Sequence, residues 1–280
     1  MSAPQLPIPT WLVGCGNMAG AMVEGWRAAG VDLANAVVIR PSGKPVAGVR
    51  TVHALAEAGA PPKLAILGFK PQKLADVAPE LNRWLTSKTI VVSLLAGAEA
   101  ATLRARLPNA GAIVRAMPNL PVSVRRGVIA LFSDEADEEQ RTQVSDLFAA
   151  LGFAMWAESE RIFAAVGSVA GSGPAYVARF VAALARAGER RGLPAELAAT
   201  IAVETVLGTG WMAASSGEAM EGIARRVASP NGTTEAGLAV LDAELDQLVA
   251  RTIEASAKRG AQLAEEARSG GKVDSDGPLA

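Results

Sequence analysis

Residues 14–19 read Gly14-Cys15-Gly16-Asn17-Met18-Ala19 and directly follow the apolar run Trp11-Leu12-Val13. Met18, Met22 and Trp26 recur at helical spacing, so the segment predicts a strand, a tight turn and a helix in succession. In that setting the G-x-G-x-x-A pattern is typical of dinucleotide binding, because the first glycine makes the turn and the second lets a pyrophosphate approach the backbone. We therefore predict that the chain opens with a doubly wound, Rossmann-like α/β domain. An ordinary tight turn between a strand and a helix is the alternative.

The first half of the chain continues with apolar runs that show no alternation with polar residues. Such runs indicate strands covered on both faces, and hence a parallel or mixed sheet between helices. The predicted strands after the first are 37–39, 64–69, 89–94, 111–115, 128–132 and 153–156, with a helix over 138–151 before the last of them.

The second half is predicted to be helical throughout. Helices are expected over 161–170, 174–191, 194–214 and 234–267, and the first of them are apolar nearly all round. Such helices lie deep in a core or in a subunit interface. Residues 160–267 offer too little volume to bury them all, so we predict a homodimer that shares its helices. The predicted organisation is a flexible tail (1–9), a dinucleotide-binding domain (10–159), a helical domain (160–267) and a second flexible tail (268–280).

The longest uncharged apolar run, residues 162–178, contains Gly171-Ser172-Gly173-Pro174. The run is short for a membrane span and these residues interrupt it, so we predict a buried helix pair with a break that lets backbones approach. A catalytic role for Ser172 is the less favoured alternative.

An anion site is predicted where the last helix begins. Residues 229–234 read Ser229-Pro230-Asn231-Gly232-Thr233-Thr234. A tight turn there would bring backbone N–H groups and two hydroxyls to the positive end of a helix dipole. The expected ligand of this site is a small carboxylate.

The residues after the second strand bear on the choice of cofactor. Residues 39–44 contain no acidic residue to hold ribose hydroxyls, whereas Arg40, Ser42 and Lys44 suit a 2′-phosphate. We therefore expect NADPH in preference to NADH; a solvated loop with incidental basic residues is the alternative. Further turns after strands, which would line the ligand crevice, are Lys70-Pro71, Ala96-Gly97 and Met117-Pro118-Asn119.

Composition excludes several other functions. The chain has net charge -1, which argues against nucleic acid and against a polybasic membrane contact. Its one cysteine, Cys15, cannot form an intrachain disulfide, and residues 1–9 do not resemble a signal peptide, so a cytoplasmic location is expected. We interpret Cys15 as a small residue that fills the loop, rather than a reactive thiol. We find no metal-binding or nucleophile motif.

The scarcity of acid–base residues narrows the chemistry. The only histidine is His53 and the only tyrosine is Tyr176, and we interpret His53, just past a predicted third strand, as structural. A reductase of a carbonyl needs a group of that kind beside its substrate. A protonated imine is already electrophilic, so an enzyme that reduces it needs mainly positioning and an anchor for charge.

These residues resemble the pyrroline-5-carboxylate reductase family, collinearly over residues 12–265. The resemblance is carried by Gly14-Cys15-Gly16-Asn17-Met18-Ala19, Lys70-Pro71-Gln72, Ala96-Gly97, Arg115-Ala116-Met117-Pro118-Asn119, Gly171-Ser172-Gly173-Pro174-Ala175-Tyr176 and Ser229-Pro230-Asn231-Gly232-Thr233-Thr234. It implies NAD(P)H-dependent reduction of 1-pyrroline-5-carboxylate to L-proline. It also implies a helical domain that interlocks with a partner subunit, and dimers that in the family often assemble further into rings of five, which makes a decamer.

The resemblance also implies residue roles. Cofactor contacts would come from Val13, Gly14, Cys15, Gly16, Asn17, Met18, Lys70, Pro71, Leu94, Leu95 and Ala96. Substrate contacts would come from Met117, Pro118, Asn119, Ser229, Gly232, Thr233 and Thr234. Thr234 would be the catalytic residue, as the family threonine that hydrogen-bonds the ring nitrogen. The turn would serve a nicotinamide held by another subunit, so that activity would require the dimer.

The chain departs from the family pattern at three positions. Asn231 replaces the first glycine of Pro-Gly-Gly-Thr-Thr, and Asn tolerates a positive φ. His53 stands where the family often has an asparagine on the adenosine side, and Arg226 stands where some members use asparagine near the substrate.

Two other functions stay open. A β-hydroxyacid dehydrogenase or imine reductase would share the two-domain plan, but the hydroxyacid enzymes place a catalytic lysine where residues 173–178 have none. A non-catalytic, NADPH-binding regulator could also be built on the same fold.

Overall fold

The computed structural model describes residues 5–269 of the chain. Residues 5–172 together with 256–269 form one compact unit, and residues 173–255 form another. This division falls between Ser172 and Gly173, and the end of the last helix belongs to the first unit. The domain boundary between residues 159 and 160 stays a prediction.

The first unit contains one sheet of eight strands in the order β3-β2-β1-β4-β5-β6-β7-β8. All neighbours are parallel except β6 and β7, which pair antiparallel. Of the two predicted alternatives, a parallel or a mixed sheet, the structure has the mixed one. Strand order reverses between β1 and β4, and the crevice at that point is where such sheets bind ligands. The strands are β1 (Thr10–Val13), β2 (Ala36–Ile39), β3 (Arg50–Val52), β4 (Leu64–Leu67), β5 (Ile90–Ser93), β6 (Ala112–Pro118), β7 (Gly127–Phe132) and β8 (Gly152–Trp156).

Helices cover both faces of this sheet. They are α1 (Asn17–Ala28), α2 (Leu74–Leu81), α3 (Ala100–Arg106), α4 (Glu138–Ala149) and α5 (Glu160–Val166), with short 3₁₀ turns at Leu55–Glu57, Pro71–Lys73 and Leu120–Val124. One apolar core contains Trp26 and Phe148, which pack edge to face with centroids 6.0 Å apart, and a second contains Trp11 and Leu81. The indole of Trp26 donates to the carbonyl of Leu147 at 2.9 Å, so its one polar group is satisfied.

The ends of the first unit differ from the predicted tails. Leu6 is buried in the core, and the hydroxyl of Thr10 donates to the carbonyl of Pro7, so part of segment 1–9 is packed. At the other end the last helix runs to Ser269. The rest of the predicted tails, residues 1–4 and 270–280, lies outside the described residues.

The predicted break at Gly171-Ser172-Gly173-Pro174 is wrong. The chain continues from α5 through a π-helical turn, Gly167–Gly171, and Ser172 keeps a right-handed helical conformation. Within the part of the chain that the structure describes, a Cβ on Gly171 or Gly173 would meet nothing within 4 Å, so no backbone approaches there. Pro174 is tolerated because it lies at the start of the next helix, where its missing N–H costs nothing.

The second unit is made of helices, as predicted. They are α6 (Gly173–Arg190), α7 (Ala195–Ser216), α8 (Met220–Val227) and the first part of α9 (Thr233–Ser269). The sequence analysis did not predict α8. Helices α6 and α7 pack through small residues, Ala185, Ala198 and Ala202.

Much apolar surface of the second unit is exposed in the single chain. The exposed side chains are Val177, Phe180, Leu184, Leu193, Leu197, Ile201, Val203, Leu207, Trp211, Met220, Val227, Val240, Leu241, Leu245, Leu248 and Val249. Among the described residues, α7 alone is long and apolar enough to cross a membrane by length and composition. An exposed apolar area of this size indicates an interaction surface.

Candidate active site

The glycine loop after β1 leaves room for a ligand at the amino terminus of α1. Gly14 has φ +80°, and a Cβ on it would lie 2.9 Å from Phe69, so only glycine fits. Gly16 caps α1 without a side-chain hydrogen bond, and a Cβ on it would approach only the carbonyl of Gly68, at 3.8 Å. The helix amino terminus is therefore open to an anion, and the loop fits the pyrophosphate of a dinucleotide.

Cys15 lies in this loop as a buried thiol. Burial raises the pKa of Cys15, and the positive charge of Arg40 opposes that effect only in part. The thiol is therefore protonated near neutral pH and poorly nucleophilic, which agrees with its predicted role as a small residue of the loop.

The loop after β2 presents the three residues predicted to bind a 2′-phosphate. The N–H of Arg40 donates to the carbonyl of Val52 at 2.9 Å, and the N–H of Gly43 donates to the carbonyl of Arg40 at 2.9 Å. Arg40 is half-buried, whereas Ser42 and Lys44 are exposed. A guanidinium, a hydroxyl and an ammonium on one tight turn form a donor set suited to a phosphate.

Two further turns lie at the carboxyl ends of β4 and β5, as predicted. Lys70 and Pro71 follow β4, and the lysine side chain is exposed. After β5, Leu95 is buried in the core, so only its backbone could face a ligand, while Ala96 is exposed. Gly97 has φ +78°, and a Cβ on it would lie 2.9 Å from the carbonyl of Leu263, so α9 packs on this turn.

A partly buried ion pair joins β6 to the start of α5, and the sequence analysis missed it. The guanidinium of Arg115 pairs with Glu160 and lies 4.3 Å above the ring of Phe163. The second carboxylate oxygen of Glu160 accepts the N–H of Ala100 at 3.0 Å, at the first turn of α3. Burial lowers the pKa of Arg115, and the charges of Glu160 and Glu99 oppose that effect. The one available sequence signal was an arginine in an otherwise apolar strand.

Residues 117–119, predicted to contact substrate, have structural contacts in this chain. Asn119 is 5% exposed; its amide donates to the carbonyl of Ala170 at 3.0 Å and accepts the N–H of Val128 at 2.8 Å. A Cβ on Gly167 would lie only 2.1 Å from the sulfur of Met117, so the methionine side chain packs directly on that glycine. Pro118 is buried. These residues tie β6 to β7 and to the π-helical turn, and their contact with substrate stays a prediction.

The 229–234 turn closes on itself at the start of α9. The N–H of Gly232 donates to the carbonyl of Ser229 at 2.9 Å, and Asn231 adopts φ 56°. The N–H of Asn231 donates to the carboxylate of Glu235 at 2.6 Å. Two of the amides predicted to receive an anion therefore have partners inside the protein.

The amides of Thr233 and Thr234 remain. Across residues 5–269 the structure gives neither N–H a protein partner, as expected for the first turn of a helix. Thr233 is exposed and Thr234 is half-buried. Of the helical residues in segment 229–234, Thr233 and Thr234 are therefore the two whose amides and hydroxyls could receive an anion, and their contact with substrate stays a prediction.

Two other residues discussed from the sequence have protein partners. Arg226, at the end of α8, pairs with Glu218 at 2.8 Å and lies 3.2 Å from the sulfur of Met212. The hydroxyl of Ser172 lies 3.5 Å from that of Ser256, with no acid or base in that contact.

The predicted site residues fall into two groups. The cofactor group, which includes Gly14, Arg40, Lys70 and Ala96, belongs to the first compact unit, and the 229–234 turn belongs to the second. Within residues 5–269, no group of three His, Cys, Asp or Glu side chains could hold a metal ion.

Comparisons with known proteins match the two ends of the chain to two different families. Residues 11–97 match the family described as NADP oxidoreductase, coenzyme F420-dependent, and residues 160–263 match the family described as pyrroline-5-carboxylate reductase dimerisation. A pyrroline-5-carboxylate reductase of Pseudomonas aeruginosa is 36% identical over 274 residues, which cover 95% of this chain and 99% of the relative.

Solved structures give the same result. A pyrroline-5-carboxylate reductase from Coxiella burnetii has a TM-score of 0.85 at 32% identity, covering 92% of this chain and 99% of its own. The Plasmodium falciparum pyrroline carboxylate reductase, solved with NADP bound, shares the fold, with a TM-score of 0.83 at 24% identity and coverage of 92% and 98%.

The fold and the site thus define a two-part oxidoreductase with a dinucleotide-binding sheet and a helical domain. Within that class, the identity over nearly full length decides the family. The chain belongs to the pyrroline-5-carboxylate reductase family.

Proposed function

We propose that this chain reduces 1-pyrroline-5-carboxylate to L-proline with NADPH. The observation that carries the proposal is the start of α9. There Thr233 and Thr234 offer two hydroxyls and two backbone amides that have no hydrogen-bond partner among residues 5–269. A helix amino terminus of this kind favours a carboxylate. The glycine loop of the first unit is equally open to a pyrophosphate.

The predicted site residues would bind different parts of the cofactor and the substrate. NADPH, when bound, supplies the hydride. The glycine loop at residues 14–19 would hold the pyrophosphate, Arg40, Ser42 and Lys44 would bind the 2′-phosphate, and the turns at residues 70–71 and 94–96 would line the path to the nicotinamide. The amides of Thr233 and Thr234 would bind the carboxylate of the substrate.

Thr234 would orient the imine. Its hydroxyl would hydrogen-bond the ring nitrogen, which carries its proton before the reaction, so that the imine carbon accepts the hydride and the nitrogen becomes the amine of proline. No side chain then has to supply a proton at the moment of transfer, which agrees with a chain that has one histidine, His53, and one tyrosine, Tyr176. Catalysis would rest on positioning the two reactants.

The exposed apolar faces of α6, α7 and α9 support a homodimer. The match of residues 160–263 to a dimerisation domain favours a subunit interface over a membrane as the cover of α7. In that dimer the 229–234 turn of one subunit would serve the nicotinamide of the other, and five dimers could assemble into a decamer. We place the enzyme in the cytoplasm.

A steady-state assay tests the function. Pyrroline-5-carboxylate should be reduced with saturation kinetics, with a lower KM for NADPH than for NADH. Cofactor binding without turnover would favour the regulator. Oxidation of a β-hydroxyacid would favour the dehydrogenase, although α6 begins Gly173-Pro174-Ala175 and has no lysine in its first turn.

A further inference from the structure

His53 lies against the loop predicted to bind the 2′-phosphate. It directly follows β3, and its Nδ1 lies 3.2 Å from the carbonyl oxygen of Pro41. The backbone N–H of His53 donates to the carboxylate of Glu57 at 3.3 Å, which anchors the residue from the other side. The imidazole therefore connects β3 to the middle of the 40–44 loop.

Gly43 packs directly against the imidazole of His53. A Cβ on Gly43 would lie 2.2 Å from Cε1 of His53, and Gly43 has φ +61°. Only a residue without a side chain lets the ring lie this close, so the conformation of the loop and the position of the ring depend on each other.

The contact with Pro41 determines which ring nitrogen of His53 donates the hydrogen bond. The carbonyl of Pro41 can only accept, so Nδ1 of His53 must carry the proton and donate. Pro41 lies between Arg40 and Ser42, so this single bond restrains the backbone between two of the three predicted phosphate-binding side chains. A loop held in its bound conformation binds more tightly because less freedom is lost on binding.

We propose that His53 is a positioning residue for the 2′-phosphate of NADPH, acting through Pro41 and Gly43 on the loop that carries Arg40, Ser42 and Lys44. The proposal rests on the proposed function in its choice of cofactor. It predicts that His53 affects cofactors that carry a 2′-phosphate and spares those that do not.

The experiment compares two substitutions, each of which can replace only one of the two nitrogens of the imidazole. The amide nitrogen of asparagine can occupy the position of Nδ1, whereas that of glutamine occupies the position of Nε2. Calorimetric titration with NADP⁺, NAD⁺ and adenosine 2′-monophosphate measures binding without turnover. His53→Gln should weaken NADP⁺ and adenosine 2′-monophosphate about tenfold, and NAD⁺ less than about twofold, as expected for one lost hydrogen bond. His53→Asn should keep NADP⁺ within about threefold of the parent.

Gly43→Ala provides a second route to the same loop. It should weaken NADP⁺ selectively in the parent and less so in a His53→Ala background, because the ring that its Cβ would meet is then gone. Equal losses for NADP⁺ and NAD⁺, or equal losses for the asparagine and glutamine variants at unchanged Tm, would overturn the proposal. Failure to reduce pyrroline-5-carboxylate would overturn the proposed function and would leave these binding results unaffected.

Discussion

The carboxylate of Glu235 accepts a hydrogen bond from the backbone N–H of Asn231 at 2.6 Å. This bond closes the 229–234 turn from the side of α9 and places an acidic residue in the first turn of the helix, where the dipole favours it. The turn is thereby ordered before any substrate arrives.

We expect Glu235→Ala to raise KM for pyrroline-5-carboxylate severalfold, because the turn loses a charge-assisted hydrogen bond and must be ordered on binding. Glu235→Gln keeps an acceptor and removes the charge, so KM should stay near the parent value or fall. Steady-state kinetics at saturating NADPH measure both. A rise of the same size in the two variants would mean that charge, and not closure of the turn, sets KM.

Asn231 provides the second prediction, because it holds a left-handed conformation at φ 56°. Asn231→Gly should be tolerated, since glycine adopts that φ without strain. Asn231→Val should lower the free energy of unfolding by about 1–2 kcal/mol, because a β-branched residue is strained there. Urea denaturation of both variants gives the comparison. Equal stability of the valine and glycine variants would contradict the strained geometry.

The centre of the sheet could be predicted from the sequence because β1, β2, β4 and β5 are buried on both faces and carry no polar alternation. The glycine loop could also be predicted. The turn between β1 and α1 requires a positive φ at residue 14, and glycine adopts that φ without strain. These features are local: a short window of sequence contains both their cause and their signature.

The features that the sequence did not predict have two main causes. Some depend on contacts between residues far apart in the chain, and in others the tertiary structure overrides the local preference of the residues. Arg115 finds Glu160 forty-five positions away, and no local pattern announces that pair. The glycines at 171 and 173 have the composition of a break, yet the chain stays helical there. The short helix α8 was missed because eight residues carry little periodic signal.

Thr234 provides the third prediction. Thr234→Ala should lower kcat/KM for pyrroline-5-carboxylate by about 1–3 kcal/mol of transition-state binding, because the hydroxyl that would hold the ring nitrogen is lost. Thr234→Ser keeps the hydroxyl and should retain most of the activity. Loss of activity in the serine variant to the level of alanine would mean that the methyl group, and not the hydroxyl, matters. Unchanged kinetics in the alanine variant would remove Thr234 from the site.

Arg40 provides the fourth prediction. Arg40→Ala should raise KM for NADPH more than KM for NADH, because its guanidinium would meet a phosphate that NADH lacks. Lys88→Ala is a matched control: Lys88 is an exposed cation just before the amino end of β5, away from the carboxyl-end turns. It should leave both KM values unchanged. Equal effects of Arg40→Ala on the two cofactors would rule out the 2′-phosphate assignment.

The partly buried pair of Arg115 and Glu160 provides the last prediction. The arginine side chain is 8% exposed and the glutamate side chain is 37% exposed, so loss of the glutamate leaves a desolvated cation without its counter-charge. Glu160→Ala should therefore lower the free energy of unfolding by about 3 kcal/mol. Urea denaturation followed by fluorescence measures the change.

Two controls separate the buried charge from other effects of the substitution. Asp76→Ala breaks the exposed pair of Lys73 and Asp76, whose side chains are 66% and 67% exposed, and should cost at most about 1 kcal/mol. The double variant Arg115→Met with Glu160→Leu replaces both charges by apolar groups and should recover much of the lost stability. If the double variant is less stable than Glu160→Ala, the uncompensated charge is not the main cost, and Arg115 stabilises the protein through contacts other than Glu160, such as that with the ring of Phe163.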